Sequence, residues 1–355
     1  MTPAGSRTPQ ADTAAPPLEL LVDPVTGAPL RIEETALVSG AGARYPIRDG
    51  IPRFVDSTEI HEEQAATGDT FSKKWSRIAT FGHDDATRTF HHNWYLQRYG
   101  WRDEQEFAAF LSGCARVLDA GCGVGRDVAW YLRLAPGLVA GVDISTAVDA
   151  AARNVGPNDR LLLAQSDLAQ LPFPPDFFDY IACDQVLQHT VAPRASFQHL
   201  VSRVKPGGVL AFYVYRVKGA LREFADDHLR RATMAMTEEE AYRFSEAVTR
   251  FGKALTEQKV TIDIPADIPE LGISAGSFDL QRWLYWNVFK CFYNADWDWE
   301  TNVMTNYDWY RPATAHRYRA EEIRQWIAAE GLEVLHEDVG DAGLSYRCRR
   351  PRRGH

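Results

Sequence analysis

The stretch Val117-Leu118-Asp119-Ala120-Gly121-Cys122-Gly123-Val124-Gly125 constrains this chain more than any other. An apolar run ends in an acid, and three glycines then alternate with other residues. That pattern predicts a buried strand running into a tight turn that opens a helix near Arg126-Asp127. Glycines allow the turn and let a ligand approach main-chain N–H groups, towards which the helix directs its positive end. The spacing is not the dinucleotide fingerprint G-x-G-x-x-G, whose third glycine would fall at Arg126. Asp119 at the strand end would repel a pyrophosphate and suit a cationic ammonium group.

Four more segments follow in order. Leu138-Val139-Ala140-Gly141-Val142-Asp143-Ile144 reads as a second strand ending in an acid. Asp143 lies about twenty residues past the turn, where a carboxylate can hold ribose hydroxyls. A third strand runs through Leu161-Leu162-Leu163-Ala164-Gln165-Ser166-Asp167-Leu168, and a fourth through Phe178-Asp179-Tyr180-Ile181-Ala182-Cys183-Asp184-Gln185-Val186-Leu187-Gln188-His189. Val204-Lys205-Pro206-Gly207-Gly208-Val209-Leu210-Ala211-Phe212 reads as a helix end, a Pro-Gly-Gly turn and a fifth strand.

These segments together resemble the class I S-adenosylmethionine (SAM)-dependent methyltransferases, in the UbiE/methyltransferase-11-like branch, over residues 105–216. The resemblance implies an α/β, Rossmann-like fold: a seven-stranded sheet with helices on both faces. It implies SAM as cofactor and S-adenosylhomocysteine as product. Carried onto this chain, the cofactor contacts are Asp119, Gly121, Cys122, Gly123, Asp143, Ile144, Asp167, Leu168, Asp184 and Gln185. Asp167 would accept a hydrogen bond from the adenine amino group while Leu168 lines the ring. His189 follows the fourth strand beside the expected methyl position and is the catalytic-base candidate, with Tyr213, Tyr215, Glu223 and His316 behind it.

Composition limits the alternatives. Acids outnumber bases 48 to 39, for a formal charge of −9, which argues against a nucleic-acid binder. The one strong basic cluster, Arg347-Cys348-Arg349-Arg350-Pro351-Arg352-Arg353, reads as a solvated tail. Five cysteines show no paired spacing, as in a cytoplasmic protein with reduced thiols. Cys122 fills the ligand turn as a small residue. No apolar run is long enough for membrane insertion, and residues 1–17 lack the apolar core of a secretory signal and read as a disordered leader.

Residues 18–56 resemble a Trm112-type zinc-ribbon module through Leu21-Val22-Asp23-Pro24-Val25-Thr26-Gly27-Ala28-Pro29-Leu30 and Tyr45-Pro46-Ile47-Arg48-Asp49-Gly50-Ile51-Pro52. Asp23 and Thr26 stand where that family has its first cysteine pair, and Ser39 to Gly42 carry no thiol. A zinc site is therefore not expected, and the module is predicted to be a metal-free β unit. Residues 57–112 read as an aromatic-rich helical cap, 113–216 as the SAM-binding core, 217–316 as a substrate-cap insertion, 317–349 as the C-terminal part of the core, and 350–355 as a tail. An insertion of that length is not structureless. Its first half is charged and helix-prone. Its second half is dense in aromatics such as Trp283, Tyr285, Trp286, Trp297 and Trp309.

Ligands in such folds sit beyond the carboxyl ends of the strands, where insertions build the pocket. The aromatic second half therefore predicts a small organic acceptor, aromatic or apolar in character, with an isoprenoid among the options and bacterial specialised metabolism as the setting. Asn306-Tyr307-Asp308-Trp309-Tyr310-Arg311-Pro312 and His316-Arg317-Tyr318 resemble a segment of Trm112-fused methyltransferases, which gives Tyr307, His316 and Arg317 as substrate contacts, and Tyr215 is a further substrate candidate. No metal-ligand cluster stands out. Competing readings are a tRNA or protein methyltransferase, and a SAM-binding cyclase or binding protein that transfers no methyl group. Accepting atom and oligomeric state are left open by the sequence.

Overall fold

The computed structural model describes residues 16–55 and 60–352. The N-terminal strands β1 (Arg31–Glu33), β2 (Ala36–Val38), β3 (Arg44–Arg48) and β4 (Ile51–Pro52) form a small antiparallel sheet in chain order. Asp23 Oδ1 accepts hydrogen bonds from the backbone N–H groups of Val25 (2.8 Å) and Thr26 (3.2 Å) and from the Tyr45 hydroxyl (3.3 Å). The carboxylate closes the turn by itself. Leu21, Leu37, Tyr45 and Phe54 join the main apolar cluster of the core.

Three helices follow, α1 (Glu62–Arg77), α2 (Asp85–Arg98) and α3 (Glu104–Leu111). Asp84 caps α2 by accepting from Thr87 N at 2.9 Å, and Asp103 caps α3 by accepting from Glu106 N at 2.8 Å. Such caps satisfy N–H groups that a helix cannot pair internally.

The core runs β5 (Arg116–Ala120), α4 (Arg126–Leu134), β6 (Leu138–Asp143), α5 (Ala147–Val155), β7 (Leu161–Gln165), β8 (Phe178–Cys183), α6 (Pro193–Arg203) and β9 (Val204–Arg216). The insertion then supplies α7 (Ala220–Met234), α8 (Glu238–Gln258), the hairpin β10 (Thr261–Ile264) and β11 (Gly276–Asp279), α9 (Leu280–Asn287) and α10 (Trp299–Tyr310). β12 (Arg317–Tyr318), α11 (Ala320–Ala329), β13 (Glu333–Val339) and β14 (Gly343–Arg349) complete the chain.

The main sheet has the order β13-β14-β9-β8-β5-β6-β7, with the short β12 pairing parallel to β9. The expected Rossmann-like α/β fold is present. β5 through β9 are parallel, and β14 is antiparallel to both of its neighbours. Side chains alternate across the sheet as a period of two requires. Leu118, Ala140 and Leu162 pack with α6 and α11 on one face, whereas Val117, Val139 and Leu163 pack with α3 and α4 on the other. The chain steps outward from β5 through β6 to β7 and then crosses back to β8, so the strand order reverses between the parallel neighbours β5 and β8 and a crevice opens above their carboxyl ends.

Two sequence expectations change. Lys205-Pro206-Gly207-Gly208 is a bulge inside β9 rather than a turn ahead of it. The register with β8 slips between Phe178/Val204 and Tyr180/Val209, and Gly207 takes φ +89°. The basic C-terminal cluster is docked rather than solvated over Arg347–Arg350. Arg347 lies over the Trp101 ring at 3.7 Å, and Arg350 binds Asp176 and the Val204 carbonyl. Arg353 of that cluster, the last two residues of the tail and most of the leader lie outside the described residues.

Candidate active site

A cavity of about 480 Å³ opens at the crevice between β5 and β8 and runs beneath the insertion. That size falls in the range of small-molecule sites. The glycine loop forms its floor. Gly121 has φ +94°, and a Cβ there would stand 2.2 Å from Val186 Cγ2, so the two loops above β5 and β8 interlock only because residue 121 has no side chain. Gly125 has φ +84° and starts α4, and a Cβ there would meet Ala151 of α5 at 2.9 Å. This glycine sets the close approach of α4 and α5.

The acids behave differently from one another. Asp119 is 5% exposed, lines the cavity, and its carboxyl accepts no hydrogen bond from any described residue. Burial, and then the nearby Asp127, push its pKa well above the ordinary carboxylate value. A cationic ligand would restore its charged form. Asp143 accepts from Gly123 N at 2.9 Å through Oδ2, and from Ser145 N (2.8 Å) and Ser145 Oγ (2.6 Å) through Oδ1. Burial raises its pKa against the pull of those bonds. Asp167 accepts from Ala169 N at 2.9 Å and is likewise raised by burial.

Asp184 is spoken for. It pairs with Arg98, and its Oδ1 accepts from the Tyr99 hydroxyl at 2.8 Å. Gln185 beside it holds φ +61°, a conformation that costs a non-glycine residue energy and turns the loop towards the cavity.

His189 also lines the cavity. Its Nδ1 lies 2.8 Å from the Thr314 carbonyl and Nε2 lies 3.2 Å from the Tyr215 hydroxyl. A carbonyl only accepts, so Nδ1 carries the proton and Nε2 accepts from Tyr215. Burial holds the imidazole pKa down to about 4, so it is neutral near pH 7.

All ten expected cofactor contacts line this one cavity, together with His189, Tyr213 and Tyr215. Three expected substrate contacts do not. Tyr307 is buried against Ile78, Ala241 and Val303, on the face of α10 turned to α8. Arg317 is engaged by Glu223 and Asp227. His316 donates its backbone N–H to the Gln188 carbonyl at 2.8 Å and its ring stacks on Tyr318. These residues join the insertion to the core, and Glu223 is spent in the same junction.

Other residues reach the cavity that the sequence did not single out. Lys74 of α1 extends its ammonium to Asp308 of α10 at 2.6 Å, and Lys290 approaches the other oxygen at 3.6 Å. His91 lines the cavity among Phe81, Phe90 and Trp297, with both ring nitrogens unpartnered. Only the i, i+3, i+4 spacing of Phe71, Lys74 and Trp75 on a cap helix could have pointed to Lys74.

Comparison with known proteins bears on the same region. The family model described as "Methyltransferase domain" matches residues 118–212. The chain is 32% identical over 119 residues to methyltransferase GfsG of Streptomyces halstedii, covering 32% of this chain and 43% of that one. It is 35% identical over 129 residues to an uncharacterised protein of Synechococcus sp., covering 33% and 31%. The chain thus spans less than half the length of these two relatives. A sterol 24-C-methyltransferase of Aspergillus fumigatus is 23% identical over 326 residues, covering 79% of this chain and 82% of that one. Among solved structures, the [4+2]-cyclase SpnF overlays with a TM-score of 0.46 at 14% identity, covering 82% of this chain and 97% of that one. The glycine loop and the strand-end acids Asp119, Asp143 and Asp167 all lie within the segment that matches this methyltransferase domain.

Proposed function

We propose that this protein transfers a methyl group from S-adenosylmethionine to a small organic acceptor, aromatic or apolar in its body, in bacterial specialised metabolism. The observation that carries the reading is Asp119: a buried, unpartnered carboxyl at the floor of a cavity whose other end is walled by aromatic side chains. The residues present suit the cofactor. Asp119 offers an anion to its ammonium group, Asp143 offers carboxylate oxygens to ribose hydroxyls, and Asp167 with Leu168 offers an acceptor and an apolar wall to adenine.

Bound there, SAM would supply an electrophilic methyl group. The protein's own part is alignment, exclusion of water and proton handling. Tyr285, Trp297 and Trp309 wall the acceptor end, while Trp75 packs over Gly123 of the glycine loop. If the nucleophile carries a proton, the Tyr215 hydroxyl can take it while passing its own to His189 Nε2, which the Thr314 carbonyl fixes as the accepting nitrogen. A base held near 4 suits an acceptor whose proton is already acidic. The A. fumigatus relative is named for methylation of a sterol, which supports an apolar acceptor.

Titration calorimetry with SAM and S-adenosylhomocysteine, on wild type and Asp143→Ala, tests the cofactor half. Micromolar binding that is lost in the variant is expected. A folded wild type that binds neither compound overturns the reading.

A further inference from the structure

The cavity is electrically two-ended. Five of its six lining carboxylates belong to residues 119–184, around the glycine loop, and four of its six lining cations belong to residues 218–290 of the insertion. On the acid side the one core cation, Arg126, is already bound to Asp127 by two contacts of 2.8 Å and 2.6 Å. That end is therefore suited to a cation, as Asp119 requires.

The opposite end has the reverse imbalance. Arg222 is satisfied by Asp226 at 2.6 Å and by the Tyr285 carbonyl. Lys218 donates to the Asp341 carbonyl at 2.6 Å, and no carboxylate among the described residues bonds its ammonium. Lys74 and Lys290 then share one carboxylate, Asp308, at 2.6 Å and 3.6 Å. Both lysine side chains are nearly closed off, at 10% and 9% exposure. The Lys290 carbonyl accepts from the Tyr310 hydroxyl at 2.6 Å, but its ammonium makes no hydrogen bond to any described residue. Its ammonium faces the cavity over the Trp309 ring at 5.3 Å. Two ammonium groups against one carboxylate leave a buried positive charge without a counter-ion. Proteins seldom bury such a charge unless something pairs with it. Burial accordingly holds Lys290 down to about 8 and Lys218 to about 7.

We propose that the methyl acceptor is an organic oxyanion, a carboxylate or phosphate on an apolar body, seated on Lys290 and Lys74 with Lys218 at its edge. The aromatic rings of Phe71, Tyr285, Trp286 and Trp309 take the body, and the oxyanion fixes which end of the acceptor faces the glycine loop. The Trp309 ring beneath the Lys290 ammonium packs against the Tyr215 ring at 4.8 Å, so the seat adjoins the proton-handling pair. The inference rests on the methyl-transfer reading for the word acceptor, but the anion seat stands on its own geometry.

The test uses matched probes on the full chain saturated with S-adenosylhomocysteine: 2-naphthylacetate, 2-naphthyl phosphate and the neutral 2-naphthylacetamide, measured by calorimetry. An oxyanion hydrogen-bonded to a buried ammonium predicts that at least one anion binds about tenfold or more tighter than the amide. A stronger carboxylate identifies a monoanion seat, and a stronger phosphate identifies a dianion that also engages Lys218. Lys290→Met removes the preference while S-adenosylhomocysteine affinity stays within about twofold. Asp308→Asn, which removes the competing carboxylate, widens the preference and serves as the independent variant if Lys290→Met does not fold. Equal binding of all three probes, binding of none, or a preference that survives Lys290→Met overturns the proposal. An anion preference that depends on Lys290 in a protein that does not bind S-adenosylhomocysteine would instead defeat the methyl-transfer reading and leave the seat intact.

Discussion

Arg98→Met removes one half of the ion pair that ties α2 to the end of β8. Arg98 and Asp184 are 3% and 5% exposed, so little water reaches the pair to replace the lost partner. After the substitution the carboxylate keeps the Tyr99 hydroxyl at 2.8 Å and a long contact from Gln185 Nε2 at 3.4 Å. The guanidinium also stacks over Trp94 at 3.9 Å, and methionine retains only the apolar part of that packing. Breaking a buried pair from one side costs about 3–5 kcal/mol, and that is the loss expected here. Urea denaturation followed by tryptophan fluorescence measures it. The double variant Arg98→Met/Asp184→Asn removes the stranded charge while keeping a carbonyl for Tyr99, and should regain more than half of the loss. A single variant that loses less than about 1 kcal/mol would refute the reasoning, because a pair this dry cannot be worth so little when broken from one side. So would a double variant no more stable than the single one.

Other predictions follow from the same geometry. Gly121→Ala forces a Cβ to within 2.2 Å of Val186 at φ +94°, so S-adenosylhomocysteine affinity should fall at least about tenfold in calorimetry, and unchanged affinity would show that the two loops can separate freely. Cofactor binding should release protons, because a cation beside Asp119 lowers a pKa that burial has raised; the measure is the dependence of binding heat on the ionisation enthalpy of the buffer. Burial also lowers His199 to about 4, below its unfolded value. The unfolded chain then binds the extra proton between about pH 6.5 and 4, so this histidine's contribution to stability is lost as pH falls through that window, at up to about 1.4 kcal/mol per pH unit. His199→Gln, whose amide oxygen can still accept from Leu171 N, should flatten the pH dependence of unfolding there, and an unchanged slope would exclude the assignment. Arg317→Met should lower the unfolding midpoint but leave S-adenosylhomocysteine affinity unchanged, since its partners are Glu223 and Asp227 rather than the cavity.

The parts of the site carried by contiguous residues were legible before any coordinates. A strand, a glycine turn and a strand-end acid are local events, and Asp119, Asp143 and Asp167 fall where local rules put them. The insertion was harder because its chemistry is tertiary. Lys74 and Asp308 meet across 234 positions, and neither has a sequence neighbour that announces the other. The aromatic run of α10 gave a density without a direction. Eight of its twelve residues are buried, so no polar stripe marks which face meets the cavity. Thr305, Asp308 and Trp309 face it, whereas Tyr307 turns to α8. The Pro-Gly-Gly segment was read as a turn because its residues favour one, but β9 absorbs them as a bulge whose chain continues in the same strand.

The position of the N-terminal sheet has a consequence for handling this protein. β7 is the outermost strand of the main sheet on its side, and such a strand offers unpaired backbone groups to any passing chain. The residues after β4 close off the carboxyl end of that edge: Phe54 N donates to the Gln165 carbonyl at 2.9 Å, and Arg53 pairs with Asp149. The small sheet therefore acts as a guard against edge-to-edge association. A truncation that begins at the helical cap would strip the guard and expose the apolar side chains beneath it, so its first symptom should be aggregation during expression rather than a slower reaction.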